Sequence, residues 1–358
     1  MPRFLMIDIG AGTMDILHYD AESDLHYKAV VKSPVRYLAE MANSVSGNLL
    51  VVGSEMGGGP ITQALIARAK AADVVISVSA AATLNHDLDK VRSWGLKVIE
   101  DERAEDMRRN QNYTVITLGD LDPARLERIV KSFGVPFEFD AVAICAQDHG
   151  VPPPNISHLD FRHNLFQSGL ANHPYPHTLL YTAKDVPDTM NRLKSISRSA
   201  LKLPAAEIYV MDSGMAAILG ASMDSLARGK KAVLLLDIAT SHTVGAAMAG
   251  EEIAGFFEYH TQDITLKKLE SLLHDLAEGK LSHRQILAEG GHGAFLRQAV
   301  GFGAIETIIA TGPKRKLVAE SRLPIQFGAP WGDNMMTGTV GLLEALRRCN
   351  GLKPIVYL

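Results

Sequence analysis

The chain has 358 residues, 47% hydrophobic and 21% charged, with a formal net charge of -4. That balance fits an ordinary globular protein with core enough for two domains, and no basic block points to a nucleic-acid partner. Two cysteines, Cys145 and Cys349, exclude a disulfide framework and a four-thiolate metal site and fit a reducing cytoplasm.

No apolar run approaches the ~18 residues of a membrane span. The apolar N-terminal stretch is broken by Asp8 before it reaches the length of a signal peptide's hydrophobic region. A cytoplasmic protein with no membrane partner is the expectation.

In chain order, "RFLMIDI" reads as a buried strand, "GAGT" as a turn and "MDILHYD" as a second strand. "AESD" is another turn, and "LHYKAVV" a third strand. "GAGTMD" begins like a dinucleotide fingerprint, but its sixth position is Asp15 and the turn leads into a strand. A dinucleotide fold needs a helix N-terminus there, so that reading is rejected.

From about residue 35 to residue 150, strands and helices alternate. "NLLVVGS" precedes a glycine-rich loop, and "ITQALIARAKAA" is helical. "DVVISVS", "LKVIED" and "YTVITLGD" read as strands, "PARLERIVKSFG" as a helix and "FDAVAICAQD" as a strand. This is the pattern of a sheet flanked by helices.

Residues 149–177 break the rhythm with five prolines and five histidines, as in a long connecting loop. "LLYTAKDVPDTMNRLKSISRSAL" then reads as largely helical, "EIYVMDSG" as a strand and "MAAILGASMDSLARG" as a helix rich in small residues.

The opening pattern then returns. "AVLLLDI" is a strand ending in Asp237, "ATSH" a turn, "TVGAAMA" a strand, "GEE" a turn and "IAGFFEYHT" a third strand. Asp237 stands 229 residues after Asp8. "LKKLESLLHDLAEG" and "HRQILAEGG" are helical, and "IETIIATGPKRKLVAE" reads as strand, glycine turn and helix. "GDNMMTGTVGLLEALRRCNG" is a final helix with Asp333 or Asn334 as N-cap.

Two hairpins, each led by a strand ending in aspartate, predict two similar lobes facing across a cleft. Turn N–H groups cradle phosphate oxygens, and glycine permits their close approach. A carboxylate beside such a turn repels phosphate unless a cation such as Mg²⁺ stands between them. Asp8 and Asp237 therefore read as cation-side acids. Gly10, Ala11, Gly12 and Thr13 read as one phosphate clamp, and Ala239 to Thr243, with the hydroxyls of Thr240, Ser241 and Thr243, as the other. For Asp8 the competing reading is an aspartate that caps a tight turn; for Asp15, a turn-stabilising role stands beside a functional one.

"IDIGAGTMDI" resembles the first phosphate motif of the superfamily of actin, sugar kinases and heat-shock chaperone ATPases, and "LLLDIATSHTVGAAM" its second. "VMDSGMAAILGA" resembles the connecting segment, and "IIATGPKR" the adenosine motif. "GDNMMTGTVG" resembles the opening of the closing helix. The motifs span nearly the whole chain in the superfamily's order.

The resemblance implies an α/β, two-lobed actin-like ATPase (ribonuclease H-like) fold, with lobes at 1–205 and 206–358. It implies ATP and Mg²⁺ as cofactors, and hydrolysis or phosphoryl transfer to an acceptor or partner the sequence does not name. It places Gly312 and Pro313 at the nucleotide's base and ribose. Asp212 takes the position of the acid that helps hold cation and attacking water, beside the alternative of N-cap to its helix. More closely, the chain resembles a bacterial and archaeal family labelled pyruvate formate-lyase activating enzyme.

This chain departs from those patterns. The second turn reads Ala239, Thr240, Ser241, His242 where two or three glycines are usual, and the adenosine turn carries one glycine, Gly312, where two are usual. These changes bear on ATP hydrolysis and leave open a degenerate, non-catalytic nucleotide or metabolite binder. Activators of the labelled kind hold an iron–sulfur cluster on three clustered cysteines, which this chain lacks.

The kinases of the superfamily take a general-base aspartate from the first lobe's cleft edge. Asp148 is the first candidate here, against an Asx-turn role. Cys145 reads as a small buried hydrophobe. The loop at residues 53–62 lacks the ending of a P-loop; it either packs strand on helix or binds an anion at the helix start. His149, His158, His163, His173 and His177 form a weak metal signal, because prolines interrupt the His173/His177 pair. A polar, substrate-facing loop with Arg162 and His163 is the favoured reading. Lys314 and Arg315 read as a solvated face or as nucleotide contacts, and Met335 and Met336 as core or cleft lining.

Overall fold

A computed structural model describes residues 2–153 and 156–357. The first meander is β1 (Arg3–Ile9), β2 (Thr13–Asp20) and β3 (Leu25–Lys32). An α/β segment follows. It opens with α1 (Pro34–Ser44), β4 (Asn48–Gly53), α2 (Pro60–Ala69), β5 (Val74–Ser77) and α3 (Val78–Ala81). It ends with α4 (Leu88–Ser93), β6 (Lys97–Ile99), α5 (Asp101–Met107), β7 (Tyr113–Leu118) and α6 (Pro123–Ser132).

The chain returns through β8 (Phe139–Ala146), α7 (His158–Leu170), β9 (Leu180–Thr182), α8 (Asn191–Ala200), β10 (Ala205–Asp212) and α9 (Ser213–Ser222). The second meander is β11 (Ala232–Ile238), β12 (His242–Ala249) and β13 (Glu252–His260). Then come α10 (Leu266–Ala277), α11 (His283–Ala288), β14 (Gly293–Leu296), β15 (Thr307–Thr311), β16 (Ile325–Phe327) and α12 (Thr337–Cys349).

The first sheet has the order β3-β2-β1-β8-β10-β9 and the second β14-β13-β12-β11-β15-β16. Both contain the same five strands: an antiparallel meander whose first strand is followed by two parallel neighbours. The duplication expected from the two aspartate hairpins is thus a duplication of whole sheets. β10 begins at the expected lobe boundary and pairs with β8, so it belongs to the first sheet. The inserted segment forms its own parallel sheet, β6-β5-β4-β7.

Strand parity explains how each meander presents its acid. Phe4 and Met6 of β1 join the core between the sheets, whereas Leu5, Ile7 and Ile9 join the core on the opposite face. Val233 and Leu235 of β11 share the first core, and Leu234, Leu236 and Ile238 face away. Side chains alternate along a strand, so Asp8 and Asp237 both fall on the face between the lobes.

That central core is completed by α9 and α12. They cross so closely that a Cβ at Gly220 would lie 1.8 Å from Thr337 O, and one at Gly341 1.8 Å from Ala216 O. Glycine is required at this crossing.

Some local expectations need correction. The connector contains α7, a helix capped by Ser157, whose hydroxyl accepts the Asp160 N–H at 3.0 Å. Its buried stripe is Arg162, Phe166 and Leu170, a helical spacing concealed by flanking prolines. Pro154 and Asn155 of the connector lie outside the described residues. The segment after it opens with β9, an edge strand on β10, and turns helical only at Asn191. α1 was hidden in the run before β4, although Ser33 caps it and Pro34 starts it. The helix expected after Gly312 is a single 3-10 turn, Arg315–Val318. Asp333 caps a separate 3-10 turn ahead of α12.

Candidate functional site

The two aspartate hairpins close in the same way. The Gly10 N–H donates to Thr13 O at 3.0 Å, and the Ala239 N–H to His242 O at 3.0 Å. His242 therefore occupies the position of Thr13, and Thr240–Ser241 that of Ala11–Gly12. The turns abut: a Cβ at Gly12 would lie 2.6 Å from Thr240 Oγ1. Among the described residues, no protein group accepts the N–H of Ala11, Gly12, Thr240 or Ser241. Both turns line one cavity of about 860 Å³, together with Asp8, Asp15 and Asp237.

β1 and β2 pair Asp8 directly with Asp15. Burial, then the neighbouring acids, push Asp8 up to about 7 and Asp15 up to about 8. Burial pushes Asp237 up to about 6, against a hydrogen bond from Thr311 Oγ1 to Asp237 Oδ1 at 3.0 Å. Asp15 Oδ1 is buried and has no hydrogen-bond partner among the described residues. Carboxylates that line one cavity in this way can face a hard divalent cation, through water where they stand apart.

Glycines make room for these acids. A Cβ at Gly338, in the first turn of α12, would lie 2.1 Å from Asp8 Oδ2. Gly312 has φ +86°, and a Cβ there would lie 2.8 Å from Asp237 Oδ1. Gly312 and Pro313 line the cavity, and Gly312 O accepts from Asn334 Nδ2 at 3.1 Å. The expected adenosine turn is therefore packed against the second acid, at the cleft.

The remaining candidates divide. Asp148 reaches the cavity, but its Oδ1 accepts the Gly150 N–H at 2.8 Å and its Oδ2 the Leu193 N–H at 2.9 Å. Burial raises its pKa against those two bonds. Asp212 is 2% exposed, caps α9 by accepting the Gly214 N–H at 2.9 Å, and pairs with Arg162 at 2.7 Å. Thr243 is fully buried, with its hydroxyl 3.0 Å from Thr261 Oγ1, and sits apart from the clamp. Cys145 is buried beside Asp8. Met335 lines the cleft and Met336 the core. Arg315 turns to Gly328 O and stacks on Phe327. The glycine loop brings Gly57–Gly59 to the rim of the same cavity.

Other residues of the site were not foreseen. Arg162 is a buried clasp, not a substrate-facing residue: its Nη1 donates to Asp212 and to Asp148 O, and its Nη2 to Glu258 of β13 at 3.1 Å. It joins the two lobes. Despite burial, Arg162 and then nearby histidines hold Glu258 down to about 2. Arg192 grips Asp120 through two bonds of 2.8 and 2.9 Å at the loop's edge. His149 meets His242 and His292, not the other connector histidines. Only folding reveals these groupings, because their members come from distant segments.

Two copies of one five-strand topology, facing across a cleft with an acid ending the first strand of each, define the two-lobed actin-like ATPase fold. The chain belongs to the family described as "Putative pyruvate format-lyase activating enzyme (DUF1786)", whose sequence model matches residues 56–317. No curated protein matches its sequence. Similar solved structures include the ROK hexokinase from Thermus thermophilus, 11% identical with a TM-score of 0.32, covering 98% of this chain and 99% of that one. The apo psk41 ParM protein is 10% identical over 98% of both chains, with a TM-score of 0.35. MreB5 of Spiroplasma citri bound to ADP is 10% identical over 98% of this chain and 97% of that one, with a TM-score of 0.35.

Proposed function

We propose that the cleft binds ATP with Mg²⁺ and either hydrolyses it or transfers its terminal phosphoryl group to an acceptor. The observation that carries this reading is the pair of abutting turns beside Asp8 and Asp237, whose four N–H groups have no protein acceptor among the described residues. Backbone donors of this kind hold phosphate oxygens without needing side chains, which tolerates a second turn poor in glycine. Bound Mg²⁺ supplies charge neutralisation between phosphate and carboxylates.

The chain's own residues then position the nucleotide. Gly10–Thr13 and Ala239–His242 clamp the phosphates, Asp8 and Asp237 face the cation, and Gly312–Pro313 borders the nucleoside. Attack by a water or hydroxyl oxygen forms the new bond to the γ-phosphorus as the bond to the bridging oxygen breaks, releasing ADP. Asp148 is the candidate base, and Asp212 acts by holding Arg162 at the lobe junction.

Non-catalytic nucleotide or metabolite binding is the second reading. It is favoured by Asp148 and Asp212 both being engaged in internal hydrogen bonds. Calorimetric titration with ATP, with and without Mg²⁺, tests the common core of both readings. Mg²⁺-dependent binding that weakens at least tenfold in Asp237→Asn supports it; no binding by folded protein at millimolar ATP overturns it. Phosphate release under the same conditions separates turnover from binding alone.

A further inference from the structure

We propose that His149, His242 and His292 form a three-histidine site for a zinc-class divalent transition metal ion, distinct from the carboxylate site at Asp8 and Asp237. One nitrogen from each ring can be chosen so that all three lie within 4.8 Å of one another. The ligands converge from three places in the fold: His149 follows β8, His242 opens β12 and His292 precedes β14. All three line the cleft. Such a grouping does not arise from a single surface helix or loop.

Two of the three rings present an unpaired nitrogen. His242 Nε2 and His292 Nδ1 are buried without a hydrogen-bond partner among the described residues. Leaving buried polar atoms unpaired is costly, and a metal ion satisfies lone pairs at such positions. Burial disfavours the protonated form of all three rings. Neutral imidazole is the form that binds metal.

The surroundings complete the case. Glu258, held ionised by Arg162, places Oε1 3.9 Å from His292 Nδ1. Its negative charge beside the three rings favours a cation among them. His260 packs its ring 4.2 Å from that of His292 and 4.6 Å from that of His242.

Imidazole sets favour zinc-class ions, whereas the all-oxygen set at Asp8 and Asp237 favours Mg²⁺, so the cleft sorts two ions by donor chemistry. Tetrahedral bonds of about 2.0–2.1 Å place nitrogens about 3.4 Å apart, so no pair within 4.8 Å needs to close by more than about 1.4 Å on binding. His149 belongs to the first lobe and the other two to the second, which makes the site a clasp across the lobes. Three protein ligands leave a coordination position for water or substrate, as in catalytic zinc sites.

The test is titration of chelator-stripped, nucleotide-free protein with Zn²⁺ by calorimetry and with Co²⁺ by visible absorption. The expected result is one ion per chain at micromolar affinity or better, with the intense ligand-field bands of four-coordinate Co²⁺. His149→Asn, His242→Ala and His292→Ala should each weaken binding at least a hundredfold while His173→Ala and His274→Ala, outside the cluster, leave it unchanged. Asp8→Asn should retain zinc, which separates this site from the Mg²⁺ site. Thermal unfolding of each metal-free variant confirms that the fold is intact. Zinc binding absent from folded wild type, or unaltered in the three cluster variants, overturns the proposal. So does binding of inorganic phosphate by the cluster in place of zinc.

Discussion

Replacing Asp8 with asparagine keeps the shape of the side chain and removes its charge, in a cleft where Asp15 and Asp237 are also raised. An aspartate moved from 3.8 to about 7 by folding carries a penalty of about 4 kcal/mol on its ionised form, and water entering the open cleft makes that an upper figure. Between pH 4 and 8 the folded state binds more protons than the unfolded chain at these positions. Stability from these groups is therefore full below pH 4 and falls as pH rises through 7.

Urea unfolding in chelator at pH 5, 7 and 8.5 should show wild type losing more stability than Asp8→Asn, with the variant the more stable of the two at pH 8.5. Millimolar Mg²⁺ at pH 8.5 should then raise wild type and leave the variant nearly unmoved, because cation binding rewards the ionised pair. Parallel pH profiles for the two proteins, or equal responses to Mg²⁺, would refute the reasoning.

Other expectations follow from the same geometry. Arg162→Ala leaves Asp212 and Glu258 buried without their partner, and should cost about 3–5 kcal/mol in denaturant unfolding. Gly341→Ala drives a methyl into Ala216 O and should destabilise by about 1–3 kcal/mol or more, measured as a lower Tm. Gly12→Val pushes into Thr240 and should weaken ATP binding at least tenfold by calorimetry while leaving Tm within a few degrees.

Much of the frame was legible because it is repeated and local. Asp8 and Asp237 announce themselves as polar ends of apolar strands, and period-two burial carries both to the face between the lobes. The flanking turns could be paired by their common offset, which the structure matches bond for bond in Gly10–Thr13 and Ala239–His242. The inserted sheet was legible as alternation, although α1, as long as the helices that were legible, was not read between β3 and β4.

What escaped is what depends on tertiary approach. Nothing near Arg162 in sequence announces its pairing with Asp212 and Glu258, residues 50 and 96 positions away. Asp148 looks free at a strand's end, yet its oxygens are taken by Leu193 and Gly150. The connector histidines form a group in sequence, but His149 meets His242 and His292 of the cleft and His163 stacks on His283, all partners that lie far downstream. Gly338 reads as an ordinary residue of a helix, and its reason becomes visible only when Asp8 is packed against it.

A crystal structure of the protein with Mg²⁺ and a non-hydrolysable ATP analogue tests the central claim most directly. Phosphate oxygens should lie within hydrogen-bonding distance of the Ala11, Gly12, Thr240 and Ser241 N–H groups, with Mg²⁺ on the side of Asp8 and Asp237. Nucleotide bound elsewhere, or a cleft that excludes it at saturating concentration, would contradict the account.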